Sequence, residues 1–243
     1  MQNSTAVRDR VMTGIQHPER KPSVLGSLSD PPLIAQDPPQ IHGDIQIISF
    51  SGRSGSGKNR LAKELQKLYS DMNLIRSFTT RELRAGQDEE YRHVDREEFL
   101  QLIENGEFLW NTDPEISHGN LYGTLRCDIE EALSHRCPSL IHVTPHTIHH
   151  LREYERARAR VFSVYVNVED EDLLRKRLEA RDPDEVPAYY EERIVKCRGW
   201  KEFAGTSGRF NMCIENDGRY HLREIMEELL HNLTRPIGFP VSF

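Results

Sequence analysis

Residues 52–59, with the sequence GRSGSGKN, constrain the fold of this chain more than any other segment. They follow a short apolar run at 45–50 that is typical of a buried strand, and they precede a segment at 61–68 whose apolar residues recur at helical spacing. Glycines between a strand and a helix let several backbone N–H groups point at one anion, and the helix dipole adds to the attraction. Lys58 is placed to reach the outer phosphates of a nucleotide. The segment therefore predicts a phosphate-binding loop in an α/β fold.

Two positions of this loop are unusual. The last position of such loops is normally a Ser or Thr whose hydroxyl binds Mg²⁺, and here it is Asn59. Its amide oxygen is a neutral, weaker ligand, and Mg²⁺ commonly keeps several waters and relies on substrate phosphates. We therefore predict ATP and Mg²⁺ as cofactors, with a weak metal contact at Asn59 and slow turnover. Arg53 either adds positive charge beside the phosphates or points outward.

Composition excludes several functional classes. No apolar run in the 243 residues approaches the ~20 that span a bilayer, and the first residues lack the apolar core of a secretory signal. The four cysteines form no C-x-x-C pair, which predicts free thiols and a cytoplasmic location. A net charge of −7 argues against nucleic acid as a partner, whereas a small anion remains compatible. The sequence does not predict an oligomeric state.

The chain divides into a tail and one domain. Six prolines and no apolar periodicity predict that residues 1–43 are disordered or loosely docked. From residue 44 to 235 strand-like and helical segments alternate, and residues 236–243 form a short C-terminal tail. This alternation predicts three α/β/α layers around a mostly parallel sheet, with ligands beyond the carboxyl ends of its strands.

Individual elements follow from the periodicity of the apolar residues. The predicted strands are 45–50, 74–78, 108–110, 121–124, 139–143, 161–168 and 210–215. The predicted helices are 61–68, 97–105, 128–135, 147–154, 172–180, 189–203 and 220–233.

A second group of polar residues follows about twenty positions after the loop. Arg81 and Arg84 lie three residues apart with hydroxyl side chains before them, and Tyr91 follows. Guanidinium groups bind phosphate oxygens through forked hydrogen bonds, so the pair predicts a second phosphate site. Further along, residues 118–124 have the sequence HGNLYGT.

Together these segments resemble the guanylate kinase family, whose pattern runs S-x-T-T-R-x-x-R-x-G, then Y-x-F-V, then G-x-F-L and H-G-N-x-Y-G-T. The resemblance covers about residues 45–233, with four motifs in the family's order. It implies ATP-dependent phosphoryl transfer to a GMP-like nucleoside monophosphate. It also implies a small acceptor-binding subdomain at about 77–125 and an arginine-bearing lid at about 181–198.

The resemblance assigns roles to particular residues. The implied acceptor-binding residues are Ser77, Arg81, Arg84, Tyr91, Tyr122 and Thr124. The implied ATP-binding residues are Gly52, Arg53, Ser54, Gly55, Ser56, Gly57, Lys58, Asn59 and Asn216. The implied catalytic residues are Lys58, Arg177, Arg181 and Arg193. Such a set suits phosphoryl transfer, which needs positioning and positive charge more than covalent chemistry. Alternatively, the arginines at 175–181 form a solvated helix face.

The chain departs from the family pattern where the base is recognised. Trp110 replaces a glutamate whose carboxylate accepts hydrogen bonds from guanine, and His142 and Thr144 replace two strand-end acids. A base edge without its partner costs about 1–3 kcal/mol per group, so guanine specificity should suffer. The segment between 109 and 118 is about three residues longer than usual, and Asp113 or Glu115 within it is a candidate replacement carboxylate.

Other interpretations remain open at this stage. One alternative is a kinase for another nucleoside monophosphate or for a phosphosugar. A second is a weakened module that docks a phosphorylated partner, and a third is a regulator that binds nucleotide without turnover. Lys58 and the three loop glycines favour the kinase. His146 and His150 are four residues apart, a spacing compatible with metal binding, but no acid or cysteine completes a set.

Overall fold

A computed structural model describes residues 38–83, 90–113 and 119–238. The strands are β1 Ile47–Ser51, β2 Leu74–Ile75, β3 Ser77–Thr79, β4 Tyr91–His93, β5 Phe108–Asn111, β6 Tyr122–Leu125, β7 Ser139–His142, β8 Val161–Asn167 and β9 Met212–Glu215. The helices are α1 Lys58–Leu68, α2 Arg96–Glu104, α3 Arg126–Ala132, α4 Ile148–Glu153, α5 Glu171–Arg181, α6 Pro187–Lys196, α7 Trp200–Thr206 and α8 Leu222–Leu233.

The central sheet has five strands in the order β2-β7-β1-β8-β9, and every pair is parallel. In its middle, Ile48 lies between Leu140 of β7 and Phe162 of β8. Burial of all five residues of β1 explains why this strand is an uninterrupted apolar or small-residue run. The predicted mostly parallel sheet is confirmed, and the phosphate loop follows its middle strand.

Alternate residues of the central strands pack into two separate cores. Ile48 and Phe50 contribute to one core, which α1 and α8 cover with residues such as Leu65 and Leu229. Ile47 contributes to the other core, which α3, α4 and α7 cover. Because side chains of a strand alternate between faces, both faces of the sheet are covered, which confirms the three-layer α/β/α class.

A smaller sheet has the order β4-β3-β6-β5 and mixes parallel and antiparallel pairs. Its own core is aromatic, with Phe78, Phe99 and Phe108 packed together. The register of β5 shifts between Phe108 and Trp110, so Trp110 packs in the second core of the central sheet instead. All four strands lie within the segment predicted as the acceptor-binding subdomain.

Two predicted elements are divided in the structure. The predicted strand 74–78 is two strands, β2 in the central sheet and β3 in the smaller one, with Arg76 between them. The predicted helix 189–203 ends at Lys196, and Gly199 adopts a left-handed backbone conformation, with φ 80°, before α7 begins. A single α-helix cannot continue through that conformation, so this prediction was wrong. Strand β4 lies in a stretch for which only a polar, irregular segment was predicted.

The described part of the predicted tail packs on the domain. Ile41 is buried in the first core, and the backbone N–H of His42 donates to Leu233 O at 2.9 Å. At the other end, Gly238 O accepts from Asn211 Nδ2 at 2.9 Å. The domain boundaries at 44 and 235 remain predictions. In the described ranges, none of the helices combines the length and the apolar character needed to cross a membrane.

Candidate active site

Glycines give the loop at 52–59 its shape. Gly52 has φ 143°, and a Cβ added there would lie 2.2 Å from Val166 O. Gly57 has φ 95°, and an added Cβ would lie 2.3 Å from Asn216 Nδ2. A side chain at either position would collide with its neighbour and strain the backbone. The loop conformation therefore depends on glycine at these two positions, as expected for a loop whose amides bind an anion.

Lys58 begins α1 and folds back over the loop. Its Nζ donates to Gly52 O at 2.7 Å and to Arg53 O at 2.9 Å, and it lies 3.5 Å from Ser56 Oγ. Burial lowers the pKa of Lys58 to about 8, while the negative charge of Glu90 opposes this shift. A desolvated ammonium group at this loop suits the predicted contact with a nucleotide phosphate.

Asn216 supports the loop from the end of β9. Its Nδ2 donates to Ser56 O at 2.7 Å, and its backbone N–H donates to Asn167 O at 2.8 Å. The side chain thus shapes the loop directly. The ATP-binding role that the resemblance implies for Asn216 stays a prediction.

The side chain of Arg53 leaves the loop and runs toward α5 and α6. It is buried, and its Nη2 donates to Glu171 Oε1 at 2.8 Å and to Ile194 O at 3.2 Å. Its Nη1 donates to Val168 O at 3.4 Å. Neither sequence alternative anticipated this position, because Arg53 neither points outward nor leaves its charge available beside the loop. Its guanidinium group ties the loop to the start of α5 and the end of α6.

Two of the three arginines that the resemblance implies to be catalytic reach the loop. Arg177 Nη1 donates to Gly55 O at 3.3 Å, and Arg181 Nη2 lies 3.4 Å from Ser54 Oγ. Arg181 also pairs with Asp182 at 2.7 Å. The guanidinium group of Arg193 lies instead over the ring of Tyr189, 4.4 Å from its centroid. These contacts argue against a purely solvated face for α5, since Arg177 and Arg181 turn toward the phosphate-binding loop.

The smaller sheet gathers the predicted acceptor-binding residues on neighbouring strands. Ser77 Oγ and Thr124 Oγ1 are hydrogen-bonded at 2.8 Å and buried. The guanidinium group of Arg81 lies 5.3 Å from the ring centroid of Tyr91, and the Tyr91 and Tyr122 rings are 5.7 Å apart. These five residues are called the acceptor wall below. Arg84 lies outside the described residues, as does Glu115.

The residues that replace the family's base-recognising acids make other contacts in this structure. Trp110 is buried among apolar residues and stacks on His150 at 6.4 Å. Thr144 exchanges hydrogen bonds with Thr147 at the start of α4. Asp113 is exposed at the edge of the described region. Neither Trp110 nor Thr144 has a carboxylate to offer a base.

Glu90 is the site residue that the sequence analysis missed. Its carboxylate accepts a hydrogen bond from Asn59 Nδ2, and its other oxygen accepts one from His142 Nδ1 at 3.0 Å. The residue lies in a polar stretch without periodicity, and nothing in its local sequence distinguishes it from its acidic neighbours. Only the three-dimensional fold brings it to the loop.

The described ranges hold no group of three or more His, Cys, Asp or Glu side chains suited to a metal ion. His146 packs against Phe203, with ring centroids 4.3 Å apart, and His150 faces Trp110. The histidine pair therefore serves aromatic packing in this structure.

Comparison with known proteins agrees with the motifs. The family model described as guanylate kinase matches residues 45–234. The chain is 31% identical over 202 residues to a guanylate kinase of Helicobacter pylori (strain ATCC 700392 / 26695), covering 79% of this chain and 92% of that protein. It is 29% identical over 198 residues to a guanylate kinase of Bacteroides fragilis (strain YCH46), covering 79% and 93%.

A solved structure shares the fold. The crystal structure of guanylate kinase from Anaplasma phagocytophilum superposes with a TM-score of 0.54 and 23% sequence identity, covering 79% of this chain and 87% of that one.

Proposed function

We propose that this chain, which belongs to the guanylate kinase family, transfers the terminal phosphoryl group of ATP to a nucleoside monophosphate to give the diphosphate. One observation carries the proposal. The loop that holds Lys58 and the wall that holds Arg81 and Tyr91 are connected through Glu90, which contacts the start of α1 and whose charge acts on Lys58. Phosphoryl transfer requires donor and acceptor phosphates held close together, and this arrangement supports it.

Different groups of the protein act on the donor phosphates, on the acceptor phosphate and on the phosphoryl group between them. Lys58 and the loop amides bind the donor phosphates, and Arg81 with Tyr91 and Tyr122 binds the acceptor phosphate. Arg177 and Arg181, which already contact the loop, place positive charge over the phosphoryl group as it transfers. No side chain has to form a covalent bond with the substrate.

The residues at the loop fit Mg²⁺, but the protein offers it few oxygen ligands. Asn59 Nδ2 donates to a Glu90 carboxylate oxygen, which can only accept, so the amide oxygen of Asn59 is the atom left for a cation. When bound, Mg²⁺ neutralises phosphate charge. Asn59 and the nucleotide phosphates would hold it.

GMP is the first acceptor to test, because of the family. Trp110, His142 and Thr144 supply no carboxylate for guanine, so we expect a broader or altered base preference. Asp113 and Glu115 are the remaining candidates for that role, and Asp113→Ala and Glu115→Ala should shift the preference if either of them performs it. We further propose small nucleotides as the partners and the cytoplasm as the location.

A substrate panel tests the proposal. The full chain is incubated with ATP, Mg²⁺ and GMP, dGMP, AMP, UMP, CMP or a phosphosugar, and ADP release is followed. Turnover of any monophosphate supports the kinase, and the ranking of acceptors defines its base preference. ATP binding without turnover on any acceptor would contradict the proposal and favour a module that docks phosphorylated partners or a nucleotide-binding regulator.

A further inference from the structure

Three side chains from distant parts of the chain meet beside the phosphate loop. Asn59 belongs to the first turn of α1, Glu90 immediately precedes β4, and His142 is the last residue of β7. The Glu90 carboxylate accepts from both of the others, at 3.0 Å from His142 Nδ1. The His142 and Glu90 side chains are only 8% and 17% exposed. The His142–Glu90 contact is therefore a largely buried, charge-assisted bridge between the two sheets.

The bridge explains two unusual residues of this chain together. Asn59 and His142 both present an N–H group to the same carboxylate. An aspartate at 142 would place a second carboxylate about 3 Å from Glu90, where like charges disfavour ionisation of both. Histidine at 142 removes that repulsion and supplies a donor. Asn59 and His142 are thus compatible with Glu90 as one set.

Because Glu90 is next to Tyr91 in the chain, the bridge also affects the position of Tyr91. Tyr91 follows directly and begins β4, where it pairs with Ser77 of β3 and lies beside Tyr122. Holding Glu90 against α1 therefore sets the position of Tyr91 relative to the loop. Glu90 also lies close enough to Lys58 for its charge to oppose the effect of burial on that amine.

We propose that Glu90 is a positioning residue that fastens the acceptor wall to the phosphate loop through Asn59 and His142. It acts on the acceptor phosphate through Tyr91 and does not bind substrate or metal itself. The role in catalysis rests on the proposed function, whereas the bridge itself can be tested without it.

The first experiment compares Glu90→Gln, which keeps the size and removes the charge, with Glu104→Gln, an exposed residue of α2 in the same subdomain. Affinities for ATP, and for GMP in the presence of a non-hydrolysable ATP analogue, are measured by calorimetry. We expect Glu90→Gln to weaken GMP binding roughly 10-fold and ATP binding less than about 2-fold, because the loss falls on acceptor positioning. Glu104→Gln should leave both affinities unchanged.

A double-mutant cycle then tests whether Glu90 and His142 affect GMP binding through the same contact. His142→Ala should weaken GMP binding to a similar extent, and the double variant Glu90→Gln/His142→Ala should be no worse than the poorer single variant, because both remove one bridge. Additive losses would overturn the proposal. So would equal losses of ATP and GMP affinity, or a raised Mg²⁺ requirement with GMP affinity intact, which would identify Glu90 as part of the metal site.

Hydrogen–deuterium exchange of the nucleotide-free protein separates the bridge from the function. We expect faster exchange at residues 91–94 in Glu90→Gln than in Glu104→Gln, because β4 loses its anchor. If the wild-type protein turns over no acceptor but this exchange still rises, the proposed function fails and the bridge stands. Unchanged exchange would refute the bridge whatever the activity.

Discussion

The phosphate loop and the acceptor wall are both proposed to bind phosphate, and they are built from different parts of the chain. The loop is built from backbone, with glycines that admit its conformation and with Lys58 and Asn216 hydrogen-bonded to its carbonyls. The wall is built from side chains, with Arg81 over Tyr91 and a Ser77–Thr124 hydrogen bond on a small mixed sheet. A backbone site tolerates changed side chains, whereas a side-chain site changes its preference with them. We therefore expect Arg53 and Asn59 to affect phosphate binding at the loop less than Trp110 affects the choice of acceptor.

Replacing Lys58 should have the largest effect and tests the loop. We expect Lys58→Met to lower kcat by at least about 100-fold, since the main cation on the donor phosphates is lost. Stability should be unchanged or higher at neutral pH, because the folded state disfavours this buried charge, as its pKa of about 8 indicates. ADP release and thermal unfolding check both. A variant that unfolds at lower temperature would mean that Lys58 chiefly stabilises the loop.

Replacing Arg81 tests the wall. We expect Arg81→Lys to weaken acceptor binding roughly 10- to 100-fold while ATP binding stays the same, because lysine cannot form the planar fork and packs less well on Tyr91. Initial rates at varied GMP and varied ATP separate the two constants. An equal effect on both nucleotides would remove the distinction between loop and wall.

Protonation of Lys58 sharpens the description of the loop. Its pKa of about 8 lies below the ordinary value, and bound phosphates favour the charged form and raise it. ATP binding at pH 8 should therefore take up about half a proton, falling toward none at pH 6, where the amine is already charged. Calorimetry in two buffers of different ionisation heat measures the uptake, and Lys58→Met should abolish this component.

The smallest effect is expected at the ion pair between Arg53 of the loop and Glu171 of α5. Hydrogen bonds from Arg198 and Arg53 lower the pKa of Glu171 to about 2. A depressed carboxyl pKa stabilises the fold above about pH 4.5 and ceases to do so as pH falls toward 2. Because Glu171 is partly exposed, Glu171→Gln should cost less than about 1 kcal/mol at pH 7. Urea unfolding at pH 7 and pH 3 should show the difference shrinking with acid.

Periodicity predicted most of the elements, because strands of a parallel sheet buried on both faces are strongly apolar. It failed where one position decided the outcome. Gly199 divides one predicted helix, and Arg76 separates two strands that join different sheets. Neither break changes the apolar pattern enough to be recognised. Strand β4 was missed because its residues are polar and only half-buried.

The site was predictable to the extent that its residues are close in sequence. The loop from Gly52 to Lys58 and the region around Arg81 were recognised because their proposed functional residues lie within a few positions of one another in the sequence. The contacts of Arg53 with Glu171 and of Asn216 with Ser56 span 118 and 160 residues, and no local pattern encodes them. These contacts form because Arg53, Glu171 and Asn216 each follow a strand of the central sheet, and the carboxyl ends of those parallel strands lie at one edge.

The sequence by itself determined the chain's α/β class, its family and the residue types at its proposed phosphate sites, because glycine, lysine and arginine have few substitutes in those roles. The tertiary structure alone decided that Glu90 meets Asn59 and His142, and that Trp110 packs in an apolar core. Both outcomes depend on distances between elements far apart in the chain. Hydrogen bonding and burial are settled only when those elements pack.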